Sequence, residues 1–561
     1  MLVFNDAEES IAPAEHWTAL VAAADALTPG DHDAITALLI DAGEFEAAVA
    51  DSLFPAADGI DSLVDELSAV TLWAARLFVA SDRGATSCGA RRARLCDAMA
   101  RVRVDGLPRT ARRRVSEGYA FYALHPEAYV AAARDFAASM NPPSAVCIGL
   151  RTIGTSLAAV VAATLIDRGV PACTRSVRPR GHPFDRRAAI DPSLERWLVQ
   201  HSDGTHYLIA DEGPGLSGSS FASAARMLSS LGIADCQIGF FPGWDADGST
   251  FRSDTARSAW GRHRRWIARD RHAAMRAYQG DAFVDLSAGA WRERLYTNES
   301  EWPPVQPQHE RVKMLASERG EIVRFAGLGR YGITALARAK ALAAGGFGAP
   351  PRGLDRGYLR QAFVEGRPCT PADATPEFLE CAARHIGFLS RTQRVGGPGE
   401  HDALWEMIET NVREADGTLR IPARSRYASV LADAPRAAID GRMLPHEWIR
   451  TAEGYIKTDA LDHACDHFFP GAQDPAWDLA AVETEFGLEP AASGTLLEHY
   501  ARASRDAGIR ARLPFYRVAY AAFQLGYATM AGQSLGESPD RRRFERRAGA
   551  FLERLRSLLA G

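Results

Sequence analysis

Lysine is almost absent from this chain: of 65 basic residues among 561, only Lys313, Lys340 and Lys457 are lysines. The skew reflects coding bias, and it makes each surviving lysine a position to account for. Long apolar runs are missing too. The longest, Leu157 to Ile166, is about half of what a membrane-spanning helix needs, and the N-terminus MLVFNDAEES is acidic where a secretory leader is basic. A soluble, cytoplasmic protein without membrane contact is expected. The eight cysteines (88, 96, 147, 173, 236, 369, 381, 465) contain no CxxC pair, which fits neither a disulfide framework nor a zinc site. They read as reduced packing residues. Charge of one sign is not in excess either: net charge is −5 and pI about 6.3, so no global field draws the chain to nucleic acid, and any anion must be held locally.

What is present is core material, 47% apolar residues, in a chain long enough for three or four units at roughly 150 residues each. Residues 1–114 read as helices with no visible chemistry. Their arginine run, Arg91 to Arg114, lacks interleaved aromatics and reads as a solvated or internally paired face. From 115 to 298 short apolar strands alternate with helices, as parallel βαβ units do, which places ligands at the strand C-terminal ends. The proline-rich segment ESEWPPVQPQHE, 299–310, reads as a linker, and 311–561 is first strand-rich with glycines and then helical.

The most informative segment is YLIADEGPGLSGSSF, residues 207–221: an apolar strand, the acid pair Asp211–Glu212, a glycine turn with Gly215, then Ser217, Gly218, Ser219 and Ser220 opening a helix. Backbone N–H groups at such a helix start cradle phosphate oxygens. Carboxylates at the strand end accept hydrogen bonds from ribose hydroxyls or bind Mg²⁺ through water. Earlier, Gly149-Leu-Arg151-Thr152-Ile-Gly154-Thr155-Ser156 also follows a strand and opens a helix. Between them lies an arginine-rich loop, Arg175 to Arg187, with Arg178 and Arg180, in which Asp185 is the only acid.

The 207–221 segment resembles the phosphoribosyl-diphosphate signature of type I phosphoribosyltransferases, although four residues (GPGL) separate acids from Ser-Gly, one more than is usual. The resemblance implies a doubly wound α/β domain with Mg²⁺ as cofactor and phosphoribosyl diphosphate, or another ribose-5-phosphate compound, as ligand. It further implies that Asp211 and Glu212 hold the ribose, that Ser217–Ser220 bind the 5′-phosphate, that Arg151, Gly149, Thr152, Gly154, Thr155 and Ser156 meet the pyrophosphate, and that Arg178 and Arg180 lie on a mobile lid.

Residues 311–561 are similar to small-molecule kinases of the aminoglycoside phosphotransferase type, an α+β bilobal fold. The likeness accumulates over EIVRFAGLGRYG (321–332), QAFVEGRP (361–368), Asp440-Gly-Arg442-Met-Leu-Pro-His-Glu447, Gly454-Tyr-Ile-Lys457-Thr-Asp459 and Asp474-Pro-Ala-Trp-Asp478. It implies ATP as a ligand, with Arg324, Lys457 and Glu447 toward the nucleotide and Asp459 as metal ligand. The catalytic letters depart: Arg442 stands at the carboxylate position and Glu447 at the asparagine position. The functional expectation is therefore a phosphoribosyltransferase with a degenerate kinase-like partner; the alternative is a non-catalytic nucleotide-sensing or scaffold protein.

Overall fold

The computed structural model describes all residues except 4–7, 29, 83–87, 183, 202–203, 216, 269–282, 397–400, 433, 462, 464–465, 467, 470 and 561. The N-terminal region comprises strand β1 (Glu8–Ile11), helices α1 (Pro13–Ala26), α2 (His32–Leu53), α3 (Ser62–Asp82) and α4 (Cys88–Met99), and strand β2 (Ala111–Arg114) paired antiparallel with β1. Asp31 caps α2 by accepting from Ala34 N–H, which satisfies one of the orphan amides of the first turn. The short α5 (Glu117–Ala120) and α6 (Pro126–Met140) lead into the parallel-sheet region.

That region holds β3 (Ser144–Leu150), α7 (Ile153–Asp167), β4 (Ala172–Val177), the hairpin β5 (Pro179–Arg180) and β6 (Arg187–Ala188), α8 (Pro192–Gln200), β7 (Thr205–Ala210), α9 (Ser219–Ser230), β8 (Ile238–Phe241), α10 (Asp254–Arg262) and β9 (Arg264–Arg265). Five of these strands form a sheet of order β4-β3-β7-β8-β9, with every pairing parallel. Along β3 the side chains alternate. Ala145 and Cys147 join the core shared with α2, α3 and α7, whereas Val146, Ile148 and Leu150 join the core under α8, α9 and α10. Covering both faces explains why the strands read as continuous apolar runs. It also accounts for Leu157–Ile166: α7 is apolar nearly all round because it lies buried between the sheet and the N-terminal helices. No helix among the described residues is long and apolar enough to cross a membrane.

The C-terminal region begins before the expected linker. Strand β10 (Phe283–Asp285) pairs with β11 (Lys313–Ala316), so the proline segment 299–310 is a loop within one sheet, after the short α11 (Arg292–Leu295), rather than a boundary between domains. The sheet continues with β12 (Glu321–Phe325), α12 (Arg330–Ala344), β13 (Pro351–Asp355) and β14 (Tyr358–Ala362), all antiparallel in the order β10-β11-β12-β14-β13. A helical lobe follows: β15 (Arg367–Pro368), α13 (Pro376–Thr392), α14 (His401–Ala415), α15 (Ser425–Leu431), β16 (Trp448–Arg450), β17 (Tyr455–Lys457), α16 (Ala476–Glu485), α17 (Pro490–Ser504), α18 (Ile509–Ser534) and α19 (Pro539–Leu559).

The N-terminal helices are not a separate unit. Their core is continuous with one face of the parallel sheet, with Met314, Val323, Phe325 and Tyr358 of the antiparallel sheet and with Leu328 in the turn after β12. Polar contacts stitch the same seam: Tyr331 Oη donates to Glu44 Oε1 at 2.6 Å and accepts from Ser116 N–H at 3.0 Å, and Arg330 pairs with Glu44 at 3.0 Å.

Candidate functional site

In the parallel sheet the chain order of the strands is 2-1-3-4-5, and the winding reverses between β3 and β7. Open α/β sheets bind ligands at this switch point, outside the strand C-terminal ends. Both sequence motifs sit there: Arg151–Ser156 follow β3 into α7, and Asp211–Ser220 follow the adjacent β7 into α9. The backbones approach closely, since a Cβ on Gly154 would come 2.5 Å from Ala210 O and one on Gly149 would lie 2.3 Å from Gly154 O. Thr152 between them has φ +127°, a conformation rarely tolerated outside glycine, and such strain persists only where the surroundings fix it.

The acid pair is held from the N-terminal side. Glu212 Oε2 accepts from Gly118 N–H at 2.6 Å, and Tyr129 Oη donates to Asp211 O at 2.7 Å. Burial pushes the Asp211 carboxyl up to about 7 against the opposing backbone hydrogen bond at Glu212 and the charges of Arg186 and Arg178. On the far side Gly218 (φ +64°) breaks the chain into α9, with Ser217 Oγ and Ser219 Oγ 3.0 Å apart at the helix start beside Ser220. Gly215 is exposed, also with positive φ, and Leu216 lies outside the described residues. Thr155 Oγ1 is buried without a partner, whereas Ser156 Oγ bonds Tyr119 Oη at 2.8 Å.

The arginines behave differently from expectation. Arg151 is taken by carboxylates of the N-terminal region, 2.8 Å from Asp51 and 2.7 Å from Asp58, with its side chain only 1% exposed. Arg178 pairs with Asp51, and Arg180 lies 2.9 Å from Asp58. Arg175 pairs with Asp65 at 3.1 Å and covers the Trp197 ring. Arg175, Arg178 and Arg180 are therefore held by acids from another region, where Asp185 was expected to be the one acid nearby, and within the segment Asp185 meets Arg187 at 3.5 Å; Pro183 lies outside the described residues. Asp51 and Asp58, which hold these arginines, and Glu44, which holds Arg330 and Tyr331 at the seam, are residues that the sequence did not reveal. They lie about a hundred or more positions from their partners, and the one local signal was acids placed within or just beyond an apolar helix.

The C-terminal motifs converge on a second cluster, between the antiparallel sheet and the helical lobe. Lys313 and Arg324 are directly opposed on β11 and β12, and both reach Asp459, at 2.7 and 2.6 Å. Burial would raise the Asp459 carboxyl, but those two cations outweigh it and hold it well below the usual carboxylate range. Lys457 Nζ lies 2.9 Å from Glu447 Oε2 and 3.4 Å from Asp440 Oδ1, while Arg442 takes the other Glu447 oxygen at 3.0 Å. Asp440 also receives His385 at 3.0 Å and His463 at 3.4 Å. Asp478 accepts from the N–H groups of Asp440 and Gly441, at 2.9 and 2.8 Å, which fixes the loop that carries Arg442.

Asp440, Glu447 and His463 bring ligand atoms close enough for a metal ion, but the Lys457 ammonium already stands among them. The residues present do not fit Mg²⁺ here, neither at this cluster nor at Asp459. The glycine turn has another use too: Leu328 N–H donates to Tyr119 O at 2.9 Å, and a Cβ on Gly329 would meet Ala37 Cα at 3.1 Å, so the turn docks on α5 and α2. Beside Arg442 a cavity of about 290 Å³ is lined by Val305 and His309 of the 299–310 loop together with His446 and Tyr527, and His309 Nδ1 lies 3.2 Å from Tyr527 Oη. Trp291 stacks on His446 at 5.1 Å, and burial brings that imidazole down to about 4.

No protein-family model and no curated protein matches the chain. Among solved structures, a little under half of the chain is similar to small-molecule kinases. A choline/ethanolamine kinase family protein from Mesorhizobium loti is 16% identical over 45% of this chain and 90% of that one, with a TM-score of 0.31. The choline kinase LicA from Streptococcus pneumoniae gives 15%, 44%, 90% and 0.30, and an aminoglycoside phosphotransferase from Alicyclobacillus acidocaldarius 12%, 45%, 88% and 0.29. Likenesses this distant carry no activity to this chain. Its chemistry is argued from its own residues.

Proposed function

We propose that the parallel-sheet region is a phosphoribosyltransferase-type site that binds a ribose-5-phosphate compound, and that the C-terminal half is a kinase-like partner without phosphate transfer. One observation carries the first part: the sheet order brings the acid pair and the glycine-serine turn to the same edge of the switch point, beside the strained Thr152 loop on the neighbouring strand. The start of α9 offers N–H groups and hydroxyls to one phosphate. Asp211 and Glu212 lie where ribose hydroxyls would meet them, and their charge stabilises positive charge developing at C1 when the bond there is made or broken. Such catalysis is positioning and electrostatics, so no side-chain nucleophile is required. The two carboxylates are hard oxygen donors of the kind Mg²⁺ takes and would hold it, and the ion would supply neutralisation of the ligand's charge.

The second part rests on Lys457 and Arg442. A carboxylate at the acceptor hydroxyl and open metal ligands are needed for phosphoryl transfer; here a cation holds each of those places. The kinase-like half then serves to bind or to brace, and its antiparallel sheet braces the N-terminal helices that grip the acid-pair site. The test is calorimetry of the full chain with ribose 5-phosphate and Mg²⁺. Binding is expected in the wild type and lost in Asp211→Asn/Glu212→Gln with the melting transition retained. Equal affinity in both proteins would remove the reading.

A further inference from the structure

The two sides of the switch point are unlike. The α9 side ends in small hydroxyl residues, whereas on the β3 side Arg151, Arg178 and Arg180 are committed to two carboxylates. Asp58 receives Arg151 Nη2 at 2.7 Å, Arg178 N–H at 2.7 Å and Arg180 at 2.9 and 3.2 Å. Asp51 receives Arg151 Nη1 at 2.8 Å and Arg178 Nε at 3.0 Å. Asp58 is itself fixed by its backbone, donating to Ala189 O at 2.9 Å and accepting from Asp191 N–H at 2.8 Å. Arg178 also binds Thr152 Oγ1 at 3.1 Å, so the same ion pairs set the shape of the strained loop.

Guanidinium groups grip a diphosphate with the fork geometry they use for carboxylates, two parallel N–H···O bonds at a time. A pair of carboxylates in that fork therefore occupies the donors a diphosphate needs, and adds negative charge where another anion would have to enter. Resting on the phosphoribosyl reading above, we propose that Asp51 and Asp58 are specificity-determining positioning residues: they stand in for the diphosphate, so that the site takes 5-phosphoribosyl compounds that carry no diphosphate on C1. The ligand class is then the ribosyl monophosphate, as ribose 5-phosphate or a nucleoside 5′-monophosphate.

The test compares ribose 5-phosphate and inorganic pyrophosphate as probes on the full chain with Mg²⁺, by calorimetry, in the wild type and in Asp51→Asn. Asp51 is chosen because its side chain is 24% exposed, against 1% for Asp58. The wild type is expected to bind pyrophosphate at least tenfold more weakly than ribose 5-phosphate. Asp51→Asn is expected to tighten pyrophosphate at least tenfold, and so to remove the preference between the two probes, a gain that a merely structural role would not produce. Wild-type pyrophosphate affinity equal to that for ribose 5-phosphate would overturn the inference, even if the variant does not fold. So would a folded Asp51→Asn without the gain. Absence of ribose 5-phosphate binding in the wild type is a different failure, which removes the underlying reading as well.

Discussion

Lys457 Nζ stands 2.9 Å from Glu447 Oε2, and neither side chain is more than 5% exposed. Burial would lower the ammonium's affinity for its proton, but the charges of Asp440 and Glu447 outweigh that and raise it. Removing one partner of such a pair leaves a buried charge unmatched, which costs about 3–5 kcal/mol. Lys457→Met should therefore destabilise the chain by that amount in urea denaturation. Adding Asp440→Asn should recover part of the loss, because the carboxylate that Lys457 leaves unmatched is then gone, whereas Glu447 keeps Arg442 at 3.0 Å. A variant within 0.5 kcal/mol of wild type would show that the pair is not the local keystone described.

Burial also leaves an acid that titrates near neutrality. Glu46 on α2 is pushed up to about 7 by burial, against a hydrogen bond from Thr71 and the charges of Arg151 and Arg175. Its proton is held more tightly folded than unfolded, so its contribution to stability is complete below about pH 4.5 and is lost as pH rises through about 7. Glu46→Gln removes the titration. The variant should gain stability relative to wild type as pH is raised from 5 to 8, by up to about 3 kcal/mol for a shift of this size. Parallel stability curves over that range would contradict the assignment.

The seam between the regions makes a third point of attack. Tyr331 Oη joins Glu44 to Ser116 N–H, and its burial together with the Glu44 charge keeps the phenol protonated far above its usual range. Tyr331→Phe leaves the ring in place and removes these two bonds and the one Oη accepts from Arg330 at 3.0 Å, so that a buried carboxylate, an amide and a guanidinium each lose a partner. A loss of about 2–3 kcal/mol is expected by denaturation, since bonds to charged groups are the stronger ones. An unchanged midpoint would mean that apolar contact and the Arg330–Glu44 pair hold the seam without the tyrosine hydroxyl.

Legibility followed sequence distance. The parallel strands and the ends of β3 and β7 could be read because each motif is continuous: a strand, a turn and a helix start within about fifteen residues. Residues 440–459 were legible for the same reason, including the cations at 442 and 457. What could not be read was the partner of each charge. Asp58 and Arg151 are far apart in sequence and meet only because α2 and α3 pack on α7, and Lys313 reaches Asp459 only because β11 lies beside β12. The proline-rich stretch 299–310 misled for a related reason. Prolines mark irregular backbone, but Gln306 and Val305 anchor it to Ser534 and Asp540, at 2.7 and 3.3 Å, and make it a docked loop rather than a linker.

Phosphate transfer by the C-terminal half is the last point to be tested, and the docked loop dictates how. Cutting the chain at residue 308 would remove β10 from its sheet and the Arg292–Asp540 pair at 2.7 Å, so turnover has to be measured on the full chain. No ATP-dependent phosphorylation of ribose 5-phosphate is expected from the wild type. Arg442→Asp should not restore it, for two reasons. Lys457 would still hold Glu447 and Asp440 where a metal would have to bind, and Lys313 with Arg324 would still neutralise Asp459. A carboxylate at 442 would also sit beside Glu447 without the cation that now matches it, so the variant should be less stable than the wild type rather than more active. Turnover in the wild type that disappears in Asp459→Ala would show instead that these ion pairs open to admit Mg²⁺ and nucleotide, and the braced, inactive kinase-like half would have to be abandoned.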